Sequence, residues 1–143
     1  MSIQGILDRK GAGVVTIRAS ASVKYAADEM RSRGISALVV KTDGRIVGIV
    51  TDRDIVGAIS RHGAAALSLP VTDVLAQGMI TVRPSDTAKQ AMNLMTRHRV
   101  RHLPVLAEGA LAGIVSIGDV VRDRLDDLEL ESSVLRDLYI AAR

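Results

Sequence analysis

The chain has no cysteine, tryptophan or phenylalanine, only two tyrosines, and three prolines in 143 residues. Without thiols it forms no disulfide, offers no cysteine nucleophile and holds no cysteine-ligated zinc or iron centre, which suits a reducing compartment. With so few aromatic rings it lacks the stacking platforms on which single-stranded nucleic acids are usually bound. No apolar run approaches membrane-spanning length, and Met1-Ser2-Ile3-Gln4-Gly5 has neither the charged region nor the apolar stretch of a signal peptide. A soluble cytoplasmic protein with no membrane partner is the expectation. The three histidines, His62, His98 and His102, fall at no recognised metal-ligand spacing. There is no P-loop or nucleophile elbow, and Gly11-Ala12-Gly13 is not completed into a dinucleotide fingerprint. No catalytic residue and no metal are assigned, and the chain is not expected to be an enzyme.

What is present is aliphatic. Apolar residues make up 48% of the chain and charged residues 24%, enough for a packed interior built from Val, Ile, Leu, Ala and Met. The formal charge is only +3, yet Arg83, Lys89, Arg97, Arg99 and Arg101 crowd one region. So small an excess argues against a polyanion footprint and for a local basic pocket.

The organisation comes from an internal repeat. Thr16, Arg18, Ser20, Lys24, Ala26 and Met30 recur as Thr81, Arg83, Ser85, Lys89, Ala91 and Met95, at a constant offset of 65. The register runs on without a gap through Leu38/Leu103, Val40/Val105, Gly44/Gly109, Gly48/Gly113, Val50/Val115 and Asp54/Asp119. A preceding segment recurs more loosely, since Ile3-Gln4-Gly5-Ile6-Leu7 resembles Val71-Thr72-Asp73-Val74-Leu75. The chain is two copies of one unit, residues 1–69 and 70–143.

Each copy opens on a β-branched run, Val14 to Ile17 or Met79 to Val82, which predicts a strand. A helix follows, with Ser22 or Thr87 as its N-cap and apolar residues at helical spacing. Ala37 to Lys41 and Ile46 to Val50 flank Asp43-Gly44, as Leu103 to Leu106 and Leu111 to Val115 flank Glu108-Gly109, so each copy contains a hairpin. A second helix begins near Asp52 or Ile117. The unit is therefore β-α-β-β-α, an α/β (α+β) fold. Ala64 to Leu69 with Pro70 connects the copies.

With this order of elements, Gly48-Ile49-Val50-Thr51-Asp52-Arg53-Asp54 and Gly113-Ile114-Val115-Ser116-Ile117-Gly118-Asp119 resemble the fingerprint of a tandem CBS pair, or Bateman module: Gly, two aliphatics, Thr or Ser, two variable residues, then Asp. His102-Leu103-Pro104-Val105 is similar to the family's second strand, whereas the first copy has Val39 where Pro104 stands in the second. The resemblance implies two motifs in pseudo-twofold arrangement, with clefts that bind AMP, ADP, ATP, NAD or S-adenosylmethionine as effectors and not as catalytic cofactors. It also implies a homodimer formed through the helices of the motifs.

On the same footing, Asp54 and Asp119 would accept the ribose hydroxyls. Thr51 and Ser116, where strand passes into helix, would meet a sugar or phosphate. Thr51 to Asp54 and Ser116 to Asp119 also have the spacing of a capping box, with Asp in place of Glu or Gln, so helix initiation is the alternative. Arg101 and His102 stand where the family often places phosphate-binding basic residues. Their counterparts Ser36 and Ala37 make the first cleft small and neutral on that side. Thr16 and Thr81 would lie near the adenine edge, or serve as ordinary strand residues. Arg97 and Arg99 suit a helix end, where cations complement the last carbonyls.

From Asp119 to about Ile140 the chain reads as one long helix. Val121, Leu125, Leu128, Ser132, Leu135 and Tyr139 alternate by four and three, an apolar seam that suits a partner or the module itself. The leading expectation is a regulatory adenosine-nucleotide sensor acting through dimer shape or an effector protein. A nucleotide-independent interaction scaffold is the alternative, and a nucleic-acid-binding regulator a weaker one.

Overall fold

A computed structural model describes residues 1–11, 13–76 and 78–142; Ala12, within the glycine-flanked triplet noted above, lies outside the described residues. The chain divides into two compact units, and these are not consecutive halves. One is Gly13–Ile80; the other joins Met1–Ala12 to Thr81–Arg143.

In the first unit, β1 (Thr16–Arg18) runs parallel to β2 (Ala37–Thr42), which pairs antiparallel with β3 (Arg45–Thr51). Between β1 and β2 lies α2 (Val23–Arg33), and after β3 comes α3 (Asp52–His62). Ser22 caps α2 by accepting a hydrogen bond from the amide of Tyr25, and Gly34 ends it in the left-handed region. Val23, Ala26 and Met30 form its buried face, packing with Ile17, Leu38, Val40, Val50, Ile55 and Ala58 in one aliphatic core. Alternation of inward residues along short strands would not supply this core alone; the three- and four-residue spacing on α2 completes it.

The second unit repeats the plan with α4 (Ala88–His98), β4 (His102–Ala107), β5 (Ala110–Ser116) and the long α5 (Ile117–Ala141). Its expected opening strand, Met79 to Val82, shrinks to a single parallel bridge between Val82 and Val105. Two prolines account for the difference. In the first unit the amide of Val39 donates to Val15 O and that of Ala19 to Lys41 O. The equivalent positions are Pro104 and Pro84, which have no amide hydrogen, so both ladder bonds are lost. Among the described residues, the bonds Val82 N to Pro104 O and Leu106 N to Val82 O remain.

Both hairpins close through two-residue turns with positive φ at each position, Asp43 and Gly44 in one, Glu108 and Gly109 in the other. Positive φ at both residues matches the twist of the flanking strands, and it strains Glu108 more than an Asn or Gly.

The short α1 (Ile3–Lys10) was not expected from periodicity, being only eight residues long with Gly5 inside it. Such a helix is marginal alone and is held by docking. Ile3, Ile6 and Leu7 are buried, and Ile3 N and Gln4 N donate to Asp86 O and Pro84 O of the second unit. The loosely recurring segment does the same for the first unit: Val71 N donates to Ala21 O and Val23 N to Leu69 O. Each repeat is thus completed by the segment that precedes the other repeat in sequence, which is why the units depart from the boundary at residues 69 and 70.

Candidate functional site

In each unit the end of the hairpin brings four of the expected site residues together. Ala37 pairs with Thr51 across β2 and β3, and Ser36 O accepts from Asp52 N at 3.0 Å. Correspondingly, His102 pairs with Ser116, and Arg101 O accepts from Ile117 N at 2.8 Å. The first residue of each strand therefore stands beside the start of the following helix, with Asp54 or Asp119 one turn in. The first unit gathers Ser36, Ala37, Thr51 and Asp54; the second gathers Arg101, His102, Ser116 and Asp119.

The helix starts are capping boxes in both units. Thr51 Oγ1 accepts from Asp54 N at 3.3 Å while Asp54 Oδ2 accepts from Thr51 N at 2.9 Å; Ser116 Oγ accepts from Asp119 N at 3.2 Å while Asp119 Oδ2 accepts from Ser116 N at 2.8 Å. The structural alternative for these residues is therefore present in the fold. It engages one oxygen of each carboxylate, and a carboxylate with two acceptor oxygens retains capacity for hydroxyl donors.

The two aspartates differ in one respect. Lys10, the last residue of α1, donates to Asp119 Oδ2 at 2.7 Å and to Ile114 O at 3.0 Å. Burial raises the Asp119 carboxyl's tendency to hold a proton, but the Lys10 hydrogen bond, the Ser116 amide and the lysine charge together outweigh it and bring the pKa below the ordinary carboxylate range. Among the described residues, Asp54 has no lysine or arginine partner. Lys10 lies upstream of the ungapped repeat, where no motif marks it. The looser recurrence of Ile3 to Leu7 as Val71 to Leu75 gives no signal for it, since the residue at the same offset is Gly78.

The other expected residues stand apart from these junctions. Pro104 is buried within β4, opposite Ile114, and offers its carbonyl to Val82. Thr81 immediately precedes the Val82 bridge and is half-buried. Thr16 is exposed on β1, where it lines an open cavity of about 590 Å³ with Arg18, Ser20, Ser22, Tyr25 and Lys41. Arg97 lies in the last turn of α4 and Arg99 caps it with φ 55°, the helix-end placement expected of both.

Two related units, each with a hairpin closing on Gly-aliphatic-aliphatic-Thr/Ser-x-x-Asp at the start of a helix, define a tandem-repeat module. The family model of the CBS domain matches residues 11–61 and 71–126. The chain belongs to the CBS-domain family and carries two CBS domains. It is similar to the mitochondrial CBS domain-containing protein CBSX3 of Arabidopsis thaliana, with 39% identity over 106 residues, 71% of this chain and 52% of that protein. The chain thus matches about half the length of that relative. Among solved structures, the CBS-domain containing protein ATU1752 from Agrobacterium tumefaciens superposes with a TM-score of 0.84 at 41% identity, covering 87% of this chain and 99% of that one. The CBS domain pair of protein MJ0100 shares the fold at a TM-score of 0.78 and 20% identity, over 89% of this chain and 98% of that one.

Proposed function

We propose that this CBS pair is a regulatory module that binds adenosine ribonucleotides, of the AMP, ADP, ATP or NAD type, at the hairpin-to-helix junctions of its repeats. The observation that carries the reading is the recurrence, in both units, of an aspartate one turn into a helix beside the first residue of the hairpin. Each junction offers a hydroxyl and a carboxylate with one oxygen outside the capping box, groups that can meet the hydroxyls of a ribose. The solved MJ0100 pair is in complex with 5'-methylthioadenosine and S-adenosyl-L-methionine, so the shared fold holds adenosine compounds in that protein. In this reading the second unit, with Arg101 and His102, contacts phosphate, and the first, with Ser36 and Ala37, does not. The ligand is an effector and not a substrate, and it acts only to the extent that it prefers one arrangement of the protein over another. We assign the protein to the cytoplasm; among the described residues no helix is long and apolar enough to cross a membrane.

Calorimetry and thermal shift against AMP, ADP, ATP, NAD, S-adenosylmethionine and deoxyadenosine test this, with Asp54→Ala and Asp119→Ala beside the wild type. Saturable binding of a ribose-containing compound, weakened in either variant and absent for the deoxy control, is the expected result. A folded protein that binds none of the panel rejects it.

A second reading, an association scaffold, is favoured by α5. Leu125, Leu128, Leu135, Leu138, Tyr139 and Ile140 are each more than half exposed, and Val120 and Asp123 are the buried residues of this helix. The apolar seam therefore does not fold back on its own chain, and in our reading it joins two copies. Light scattering at micromolar protein is expected to give the mass of a dimer, reduced to a monomer by Leu128→Glu with Leu135→Glu. A monomer at every concentration rejects the homodimer.

A further inference from the structure

The two segments that complete the units align at a constant offset of 68, Ile3 with Val71 and Leu7 with Leu75. They also do equivalent work. A β-carbon on Gly48 would stand 3.2 Å from Leu75, and one on Gly113 would stand 2.7 Å from Leu7. The same offset places Gly78 where the second unit's segment has Lys10. One repeat therefore receives an ammonium group at its fingerprint aspartate, while among the described residues the other has no lysine or arginine paired with Asp54.

Lys10 is not a loosely held surface cation. Its ammonium is fixed by two acceptors, the Asp119 carboxylate and the Ile114 carbonyl, the latter within the fingerprint itself. An ammonium has three N–H donors, so one remains for a third acceptor. A neutral nucleoside bringing hydroxyls to Asp119 must share that carboxylate with Lys10 and gives the lysine nothing in return. A ligand that also carries a phosphate supplies a second anion, and the flexible four-carbon stem lets the ammonium serve it.

Resting on the reading of Asp119 as a ribose acceptor, we propose that Lys10 sets the charge selectivity of the second repeat: the Asp119 junction takes 5'-phosphorylated adenosine ligands in preference to neutral or cationic ones, whereas the Asp54 junction, with Gly78 in place of a lysine, does not discriminate. α1 is then part of the binding site as well as a structural prop. A phosphorylated ligand draws on a group from residues far upstream of the fingerprint it occupies.

The test is calorimetry with AMP and adenosine on Asp54→Asn, which leaves the second junction intact, and on the same protein carrying Lys10→Met, Lys10→Gln or Lys10→Arg. Circular dichroism confirms the fold of each. Asp54→Asn is expected to bind AMP at least about tenfold more tightly than adenosine, the scale of one charge-assisted hydrogen bond. Lys10→Met and Lys10→Gln should lower that ratio several-fold, by weakening AMP and by leaving Asp119 unshared for adenosine, the remainder belonging to Arg101 and His102, and Lys10→Arg should keep it. An AMP-to-adenosine ratio unchanged in folded Lys10→Met and Lys10→Gln overturns the proposal. So does an Asp54→Asn protein that binds neither compound while the wild type binds them, since the Asp54 junction would then be the only one in use. If the wild type itself binds no adenosine compound, the ribonucleotide reading falls, and this inference with it.

Discussion

Leu7 packs so closely on Gly113 that a β-carbon at residue 113 would stand 2.7 Å from its Cδ2 atom. Leu7 is buried on α1, and Gly113 lies within β5, so the contact seats the helix on the hairpin. Gly113→Ala is expected to destabilise the protein by about 1–3 kcal/mol through overpacking, and Gly48→Ala by less, because Leu75 leaves more room. Leu7→Ala should make Gly113→Ala cheaper. A double-mutant cycle by urea unfolding, in which the pair costs less than the sum by about 0.5–3 kcal/mol, checks it.

Asp123 is almost fully buried, with Arg9 Nη2 3.8 Å from one of its oxygens and the N-terminal ammonium 3.9 Å from the other. The equivalent residue of the first repeat is Ala58, also buried, so the position accepts an apolar side chain. Removing one partner of a buried ion pair strands the other, whereas replacing the buried charge itself often costs nothing. Because the N-terminal ammonium still faces Asp123, Arg9→Met is expected to lower stability by less than the roughly 3–5 kcal/mol of a fully stranded buried charge, and Asp123→Leu to be neutral or stabilising. Adding Arg9→Met to Asp123→Leu should then cost little, as read from denaturation midpoints.

The Lys10 and Asp119 pair also sets a pH dependence. The native carboxyl has a depressed pKa relative to the unfolded chain. Its contribution is present above the unfolded value and is lost as pH falls through the lower native one. Wild type should therefore exceed Lys10→Met in stability near neutral pH, and the gap should close as acid titrates the carboxylate. Urea midpoints measured from neutrality downward give the test; a gap that widens in acid refutes it. The pair is partly solvated, so the effect is small and falls with added salt.

Glu108 occupies the first turn position of the second hairpin at φ 52°. Asn tolerates that conformation better, and Glu108→Asn is expected to add about 0.5–1 kcal/mol. A thermal midpoint that rises by a few degrees would agree; no change would mean that the strand pairing alone decides the turn.

Most of the fold was legible because two copies of a pattern constrain one another. Ser22 and Thr87 announce equivalent helices, and Asp43-Gly44 and Glu108-Gly109 equivalent hairpins, so an ambiguity in one copy is resolved by the other. The misses lie where the copies diverge. The strand around Val82 was expected by analogy with Ile17, but Pro84 and Pro104 remove the amides that would have paired. α1 is too short to be read from periodicity, and its stability comes from a surface distant in sequence. At the candidate site, Thr51, Asp54, Ser116 and Asp119 were visible as a motif, whereas Lys10 reaches Asp119 only through tertiary packing.

The crossed docking of the two segments also bears on the order in which the protein assembles as it leaves the ribosome. The first unit has all it needs once Ile80 has emerged, because Leu69 and Val71 follow the helix they support. α1 is made before either unit's hairpin, yet the surfaces that receive Ile3 and Leu7 belong to residues from Pro84 to Gly113. Until those are synthesised, the segment Ile3–Lys10 is too short to hold a helix alone and its three apolar residues lack the surface that buries them. The nascent chain thus carries a completed repeat flanked by an exposed apolar segment, the kind of intermediate that holdase chaperones bind.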